Sequence, residues 1–233
     1  MDTHASPTPH GSVRFYIYTA LATCKYYTMP SEQSGIPKVS LLIDCQNFLG
    51  KIEDVFKNNG KPKPDLTSYN FKQLFHAALN GIQVFEQIIY AARINEHPDT
   101  LQKSQHLILE RRRLKRHLEN QGFTYVHAGN IRGHYHTVPY SPKPVLVFKE
   151  KGVDVRIGVD MVYKALTKQA DTVILCSSDS DLQPAVRLSR EAGVEIIYLG
   201  FETIPNKGLV ATTNKTILFR NTEVLRCAGV KQL

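Results

Sequence analysis

The chain has 233 residues, 42% of them hydrophobic, enough for one ordinary globular domain with a well-buried core and a tail. Its formal charge of +8 suits a polyanionic partner such as nucleic acid, although the same excess also serves solubility. Cys24, Cys45, Cys176 and Cys227 are widely scattered, which excludes a disulfide framework and a zinc-ligand pattern.

Residues 1–37 carry Pro7, Pro9, Pro30 and Pro37 among polar residues with no sustained helical or strand period, so they read as a disordered tail. Met29, followed by Pro30-Ser31-Glu32, is an alternative start. Phe15 to Cys24 is mostly apolar but too short to span a bilayer, and Asp2 with only Arg14 as a cation fits a signal peptide poorly. The expectation is a cytoplasmic protein without a membrane partner.

A domain is expected over 38–227, with 228–233 as a C-terminal tail. It opens on an apolar strand, Val39 to Ile43, that stops at Asp44 and runs into Cys45-Gln46-Asn47. Phe48 to Phe56 leads into a Lys-, Asn-, Gly- and Pro-rich loop, Lys57 to Asp65, and a helix follows from about Ser68 to Leu79, ended by Asn80-Gly81. A second strand is expected over Val84 to Ala92. Asp99, behind Pro98, caps a long charged helix to about Gln121, with Leu107, Leu114 and Leu118 as its apolar stripe. Phe123 to His127 reads as the third strand and Ala128 to Pro144 as a Gly-, His- and Pro-rich loop. Val145 to Lys149 is a further short strand or an extended segment before an amphipathic helix that starts at Gly152.

The fourth strand is the apolar run Val173 to Cys176, read as buried on both faces and ending in Ser177-Ser178-Asp179-Ser180-Asp181. Leu182 to Ala192 is a helix, Val194 to Leu199 a fifth strand, Asn206 to Thr213 a short helix, and Ile217 to Phe219 a last strand or edge segment. Strands alternating with helices predict a Rossmann-like, three-layer α/β domain with a mainly parallel sheet of order 3-2-1-4-5. In that order the Asp44 and Asp179 strands are neighbours at the switch point, where such sheets bind ligands.

Asp44, Asp154, Asp160, Asp179 and Asp181 come from three separate places in the sequence. Carboxylates gathered there repel by roughly 3 kcal/mol per pair at ~5 Å and an effective dielectric of ~20, so the cluster must protonate or hold a cation. Mg2+ or Mn2+ suits hard oxygen ligands, and such an ion activates water against a phosphodiester. Asn47, about one turn past Asp44, would orient a carboxylate or donate to a phosphate. Asp160 is the outlying member, because six residues beyond Asp154 it faces about 120° away on an α-helix. The plainer alternative is that Asp179 or Asp181 merely caps the next helix.

Asp44-Cys45-Gln46-Asn47, Lys151-Gly152-Val153-Asp154-Val155 with Asp160, and Ser177-Ser178-Asp179-Ser180-Asp181-Leu182-Gln183-Pro184 resemble the three motif blocks of the NYN domain family, in the LabA-like branch of the PIN-like nucleases. The resemblance covers roughly residues 38–225. It implies a PIN-like fold and a metal-dependent ribonuclease site in which Asp44, Asp154, Asp179 and Asp181 hold the ion, with Asn47 and Lys151 nearby. Ser178 stands where the family usually has glycine, Leu182 where it usually has phenylalanine, and Cys45 where a small glycine is common; none of these changes removes a carboxylate.

Two basic patches are candidates for holding substrate. Arg111, Arg112, Arg113, Lys115 and Arg116 form the densest run, either a phosphate-binding surface or the solvated side of a helix. Arg132, His134, Tyr135 and His136 would form a basic, aromatic loop tip able to stack on an unpaired base; His134 and His136 lack a third zinc ligand. The principal reading is a ribonuclease. The alternatives are a non-catalytic RNA-binding or regulatory module and a phosphatase or phospho-receiver using Asp44, whose Asp-x-Asp pair is missing. A homodimer is compatible with the sequence.

Overall fold

A computed structural model describes residues 37–96, 101–136 and 145–228. The elements in chain order are β1 (Val39–Asp44), α1 (Cys45–Asn58), α2 (Phe71–Leu79), β2 (Glu86–Ile94), α3 (Leu101–Asn120), β3 (Thr124–His136), β4 (Val145–Lys151) and α4 (Val153–Leu166). They continue with β5 (Thr172–Cys176), one 3-10 turn (Ser180–Leu182), α5 (Gln183–Glu191), β6 (Glu195–Phe201), α6 (Lys207–Thr212), β7 (Lys215–Phe219) and α7 (Asn221–Arg226).

The seven strands form one sheet in the order β4-β3-β2-β1-β5-β6-β7. Every neighbouring pair is parallel except β3 and β4. β1 is central because both of its faces are apolar: Leu41 and Ile43 point to one side, Leu42 to the other, and all three are fully buried. On the Leu41 side the core is closed by α1, α2, α3 and α7, where Phe48 stacks against Phe71, Phe75, Phe201 and Phe219. On the Leu42 side α4, α5 and α6 contribute Ile157, Met161, Val186 and Leu209. The result is a three-layer α/β sandwich with a mostly parallel sheet.

The expected order 3-2-1-4-5 needs correction. Two further strands flank the sheet, β4 antiparallel beside β3 and β7 parallel beside β6. The expected loop over Ala128 to Pro144 is also corrected. β3 runs on to His136 and pairs with β4 from Asn130↔Lys151 to His136↔Val145, so Arg132, His134, Tyr135 and His136 lie on a strand rather than a loop tip. What permits this is a bulge: the β2–β3 register passes from Ala91↔His127 to Arg93↔Asn130, and Gly129 adopts φ 98° at the extra residue. Beyond it β3 finds a new partner in β4.

Other boundaries shift by a turn or less. α2 begins at Phe71 because Asn70 caps it, accepting from the Gln73 N–H at 2.9 Å. α7, which the sequence reading did not foresee, is held at its start by Glu223, whose Oε2 accepts from the Arg220 N–H at 3.1 Å. The expected tail over 1–37, apart from Pro37, the alternative start at Met29, the Asp99 cap and residues 229–233 of the expected C-terminal tail lie outside the described residues. Among the described residues no helix is long and apolar enough to cross a membrane.

Candidate metal centre

The site begins at the end of β1, where the chain leaves the sheet between β2 and β5. Asp44 is 6% exposed and caps α1, its Oδ1 accepting from the Asn47 N–H at 3.0 Å. Its Oδ2 lies 3.4 Å from the Ser177 hydroxyl. Asp179 likewise caps the 3-10 turn, its Oδ1 accepting from the Asp181 N–H at 2.9 Å, while its own N–H donates to Ser177 Oγ at 3.2 Å. Both aspartates are therefore helix caps and members of an acidic cluster at once. Each cap bond fixes the carboxylate and occupies only one of its oxygens.

Asp154 arrives from a third direction. Gly152, at φ 90°, turns the end of β4 into α4, and Asp154 falls in the first helical turn at the carboxyl edge of the sheet. Carboxylate oxygens of Asp154, Asp179 and Asp181 lie within 4.8 Å of one another. Gly158, one turn on, lets α4 lie close to α5: a Cβ there would be 3.4 Å from that of Ala185.

The trio lines a cavity of about 600 Å³ together with Asp44, Asn47 and Lys151. The structure thus brings these six expected site residues to one place. Asp160 stays apart, accepting from the Tyr90 hydroxyl at 3.0 Å and from Arg156 Nε at 2.8 Å. Its roughly 120° offset on the helix accounts for this.

Electrostatics mark two further acids. Burial raises the Asp44 carboxyl above its ordinary range, and the charges of Asp179 and Asp154 add to this, while the Asn47 N–H and the Ser177 hydroxyl act against it. Glu150, on β4, is pushed up to about 7 by burial and by Asp44 and Asp154, with Arg111 opposing. Glu150 lines the cavity and was missed from sequence. Its place there follows from the antiparallel pairing of β4 with β3, which no local sequence signal announces.

The donors fit a hard divalent cation. All are carboxylate oxygens, and around an octahedral ion with ~2.1 Å bonds, oxygens stand about 3 Å apart when adjacent and about 4.2 Å when opposite. Cys45 is no ligand; it is buried, does not line the cavity, and its thiol is pushed up to about 11.

The supporting shell is polar. Ser178 bonds Asn47 through its hydroxyl and accepts at its carbonyl from Asn206 Nδ2 at 2.8 Å, so the serine at this turn ties α1 to the start of α6. Leu182 is 2% exposed and plugs the core under the turn. The basic run on α3 divides. Arg111 donates to Cys45 Sγ and Gln46 Oε1, both at 3.3 Å, and so leans toward the cavity. Lys115 lies 5.6 Å from the Tyr125 ring centre and 3.7 Å from Glu119; Arg112, Arg113 and Arg116 are exposed. Arg132 pairs with Lys149 across the β3–β4 ladder.

A family profile described as the NYN domain matches residues 38–219. No curated protein matches the chain. Among solved structures, a protein of unknown function, VPA0982, from Vibrio parahaemolyticus RIMD 2210633 is similar, with 20% identity and a TM-score of 0.48 over 80% of this chain and 95% of that one.

Proposed function

This chain belongs to the NYN domain family, and from that membership and the acid cavity we propose that it hydrolyses phosphodiester bonds in RNA with Mg2+ or Mn2+. The observation that carries the reading is the convergence of Asp154, Asp179 and Asp181 within 4.8 Å beside the buried Asp44. The three motif blocks support placement in the LabA-like branch of the PIN-like nucleases.

In this reading Asp154, Asp179 and Asp181 hold the ion and Asp44 supplies charge behind them. A cation bound there would acidify a water molecule and stabilise the leaving oxygen. Asn47, fixed by Ser178, orients a scissile phosphate or its water. Lys149 and Lys151, both exposed on the cavity wall, offset phosphate charge. The first turn of α4 lines the cavity with no side-chain cap from Gly152, which leaves the positive end of the helix dipole for a phosphate. Water would add to phosphorus and give up a proton, the P–O bond to the leaving ribose oxygen would break, and that oxygen would take up a proton from solvent, leaving a phosphate monoester and a ribose hydroxyl.

The test is cleavage of end-labelled RNA with Mn2+, with EDTA, and with Asp179→Asn. Scission that needs both the ion and Asp179 is expected. RNA binding without scission, unchanged in Asp179→Asn, would replace this reading with the non-catalytic module.

A further inference from the structure

A second cavity, of about 650 Å³, opens between α1, residues 63–67 and α3, and Gln46 lines both it and the acid cavity. Its apolar part comes from Leu49, Leu66, Ile94, Leu107 and Leu114. Its rim is charged, but the charges are unequally satisfied. Glu53 pairs with Lys63 at 3.0 Å, Glu110 lies 3.3 Å from His106, and Asp65 accepts from Thr67. Arg111 bonds Cys45 and Gln46, lies against Tyr125 and faces the charge of Glu150, whereas Arg113 has no ion-pair partner among the described residues. Of the three rim cations, Lys63, Arg111 and Arg113, it is Arg113 that no acid engages among the described residues.

We propose that this groove is a nucleoside subsite: it takes the unpaired base next to the scissile phosphate, while Arg111 and Arg113 take the flanking phosphates. The inference rests on the cleavage reading and adds a substrate class to it. The volume suits a nucleoside, an apolar floor with a few polar groups at its edge is what a base requires, and the shared Gln46 makes the groove continuous with the acid cavity. Gly50 gives independent support. It sits inside α1, where alanine would favour the helix more, yet a Cβ there would meet nothing within 4 Å. No packing demands glycine at this position, and its lack of a side chain widens the groove. A base held in a duplex cannot enter without leaving its stack.

The experiment compares two substrates with Mn2+: a single-stranded RNA and bis(p-nitrophenyl) phosphate, a diester with no base. Gly50→Phe fills the groove, Arg113→Gln removes a rim charge, and melting curves check that both fold. Each variant is expected to lower kcat/KM on RNA by at least about tenfold more than on the base-free diester. An equal effect on both substrates, or none on RNA, overturns the subsite while leaving the cleavage reading intact. If the unaltered chain cuts neither substrate, the cleavage reading fails. The groove is then judged by binding of labelled RNA: about tenfold weaker binding to Gly50→Phe is expected, and equal binding overturns it.

Discussion

A Cβ at Gly129 would stand 2.2 Å from the carbonyl oxygen of Lys151. Two backbones cross there, the bulge of β3 and the last residue of β4, and the second leads through Gly152 directly into the first turn of α4. The close approach sets where Asp154 enters the acid cavity. Gly129→Ala must both move that carbonyl and hold an alanine at φ 98°. The expected cost is about 2 kcal/mol, read as a Tm lowered by roughly 4–8 °C in EDTA, with weaker Mn2+ binding by calorimetry. Unchanged melting and unchanged Mn2+ affinity would show that the crossing does not position Asp154.

Asp44 carries a carboxyl that burial makes costly to ionise. Asp44→Asn keeps an acceptor for the Asn47 N–H and removes the charge, so the metal-free protein is expected to gain about 1 kcal/mol near neutral pH, or roughly 2–4 °C in Tm. Because the folded-state value is raised, the native form holds this proton more tightly than the unfolded chain. The gain therefore fades as pH falls from the raised folded-state value toward the unfolded carboxyl range, and is gone below it. Cleavage of RNA is lost in the same variant. A variant that is less stable than the natural chain in EDTA at neutral pH would contradict this account.

The strand-end aspartates and the switch point were legible because they rest on local signals: an apolar run that stops, then an acid. The two-sided burial of β5 was readable for the same reason. The β3–β4 hairpin was not, since its ladder depends on pairing with a segment that follows an intervening stretch, and Gly and His in Ala128 to Pro144 look like loop residues one by one. Glu150 escaped notice with the hairpin, because its place in the site follows from β4 running back to the sheet edge. Asp160 could be set aside from helix geometry alone, but its partner Tyr90, seventy residues earlier, could not be named.

Asp160 offers a clean contrast with the trio. Its carboxylate is engaged by Tyr90 and Arg156, away from Asp154, Asp179 and Asp181. Asp160→Asn is expected to leave Mn2+ affinity within about threefold while costing about 1 kcal/mol of stability from the weakened bonds. Asp179→Asn, by contrast, is expected to weaken Mn2+ binding by about a hundredfold. Calorimetric titration of both variants gives the comparison, and a similar loss in each would return Asp160 to the ion's ligands.

Glu150 makes the site sensitive to pH. Its carboxyl is raised from 4.5 to about 7 in the folded chain, mainly by burial and then by Asp44 and Asp154. The folded state thus binds this proton more tightly than the unfolded one. Its contribution to stability is fully present below about 4.5 and is lost as pH rises through about 7. Metal-free protein is expected to melt at progressively lower temperature across that window, and Glu150→Gln, which keeps the shape without the proton, is expected to flatten the slope. A divalent cation acts in the opposite sense. It favours the ionised form, so Mn2+ binding should tighten as pH rises through the same interval and release a fraction of a proton near its middle. Melting curves in EDTA and in Mn2+ from pH 5 to pH 8 measure both effects. An identical slope in Glu150→Gln and the natural chain would assign the pH response to Asp44 alone.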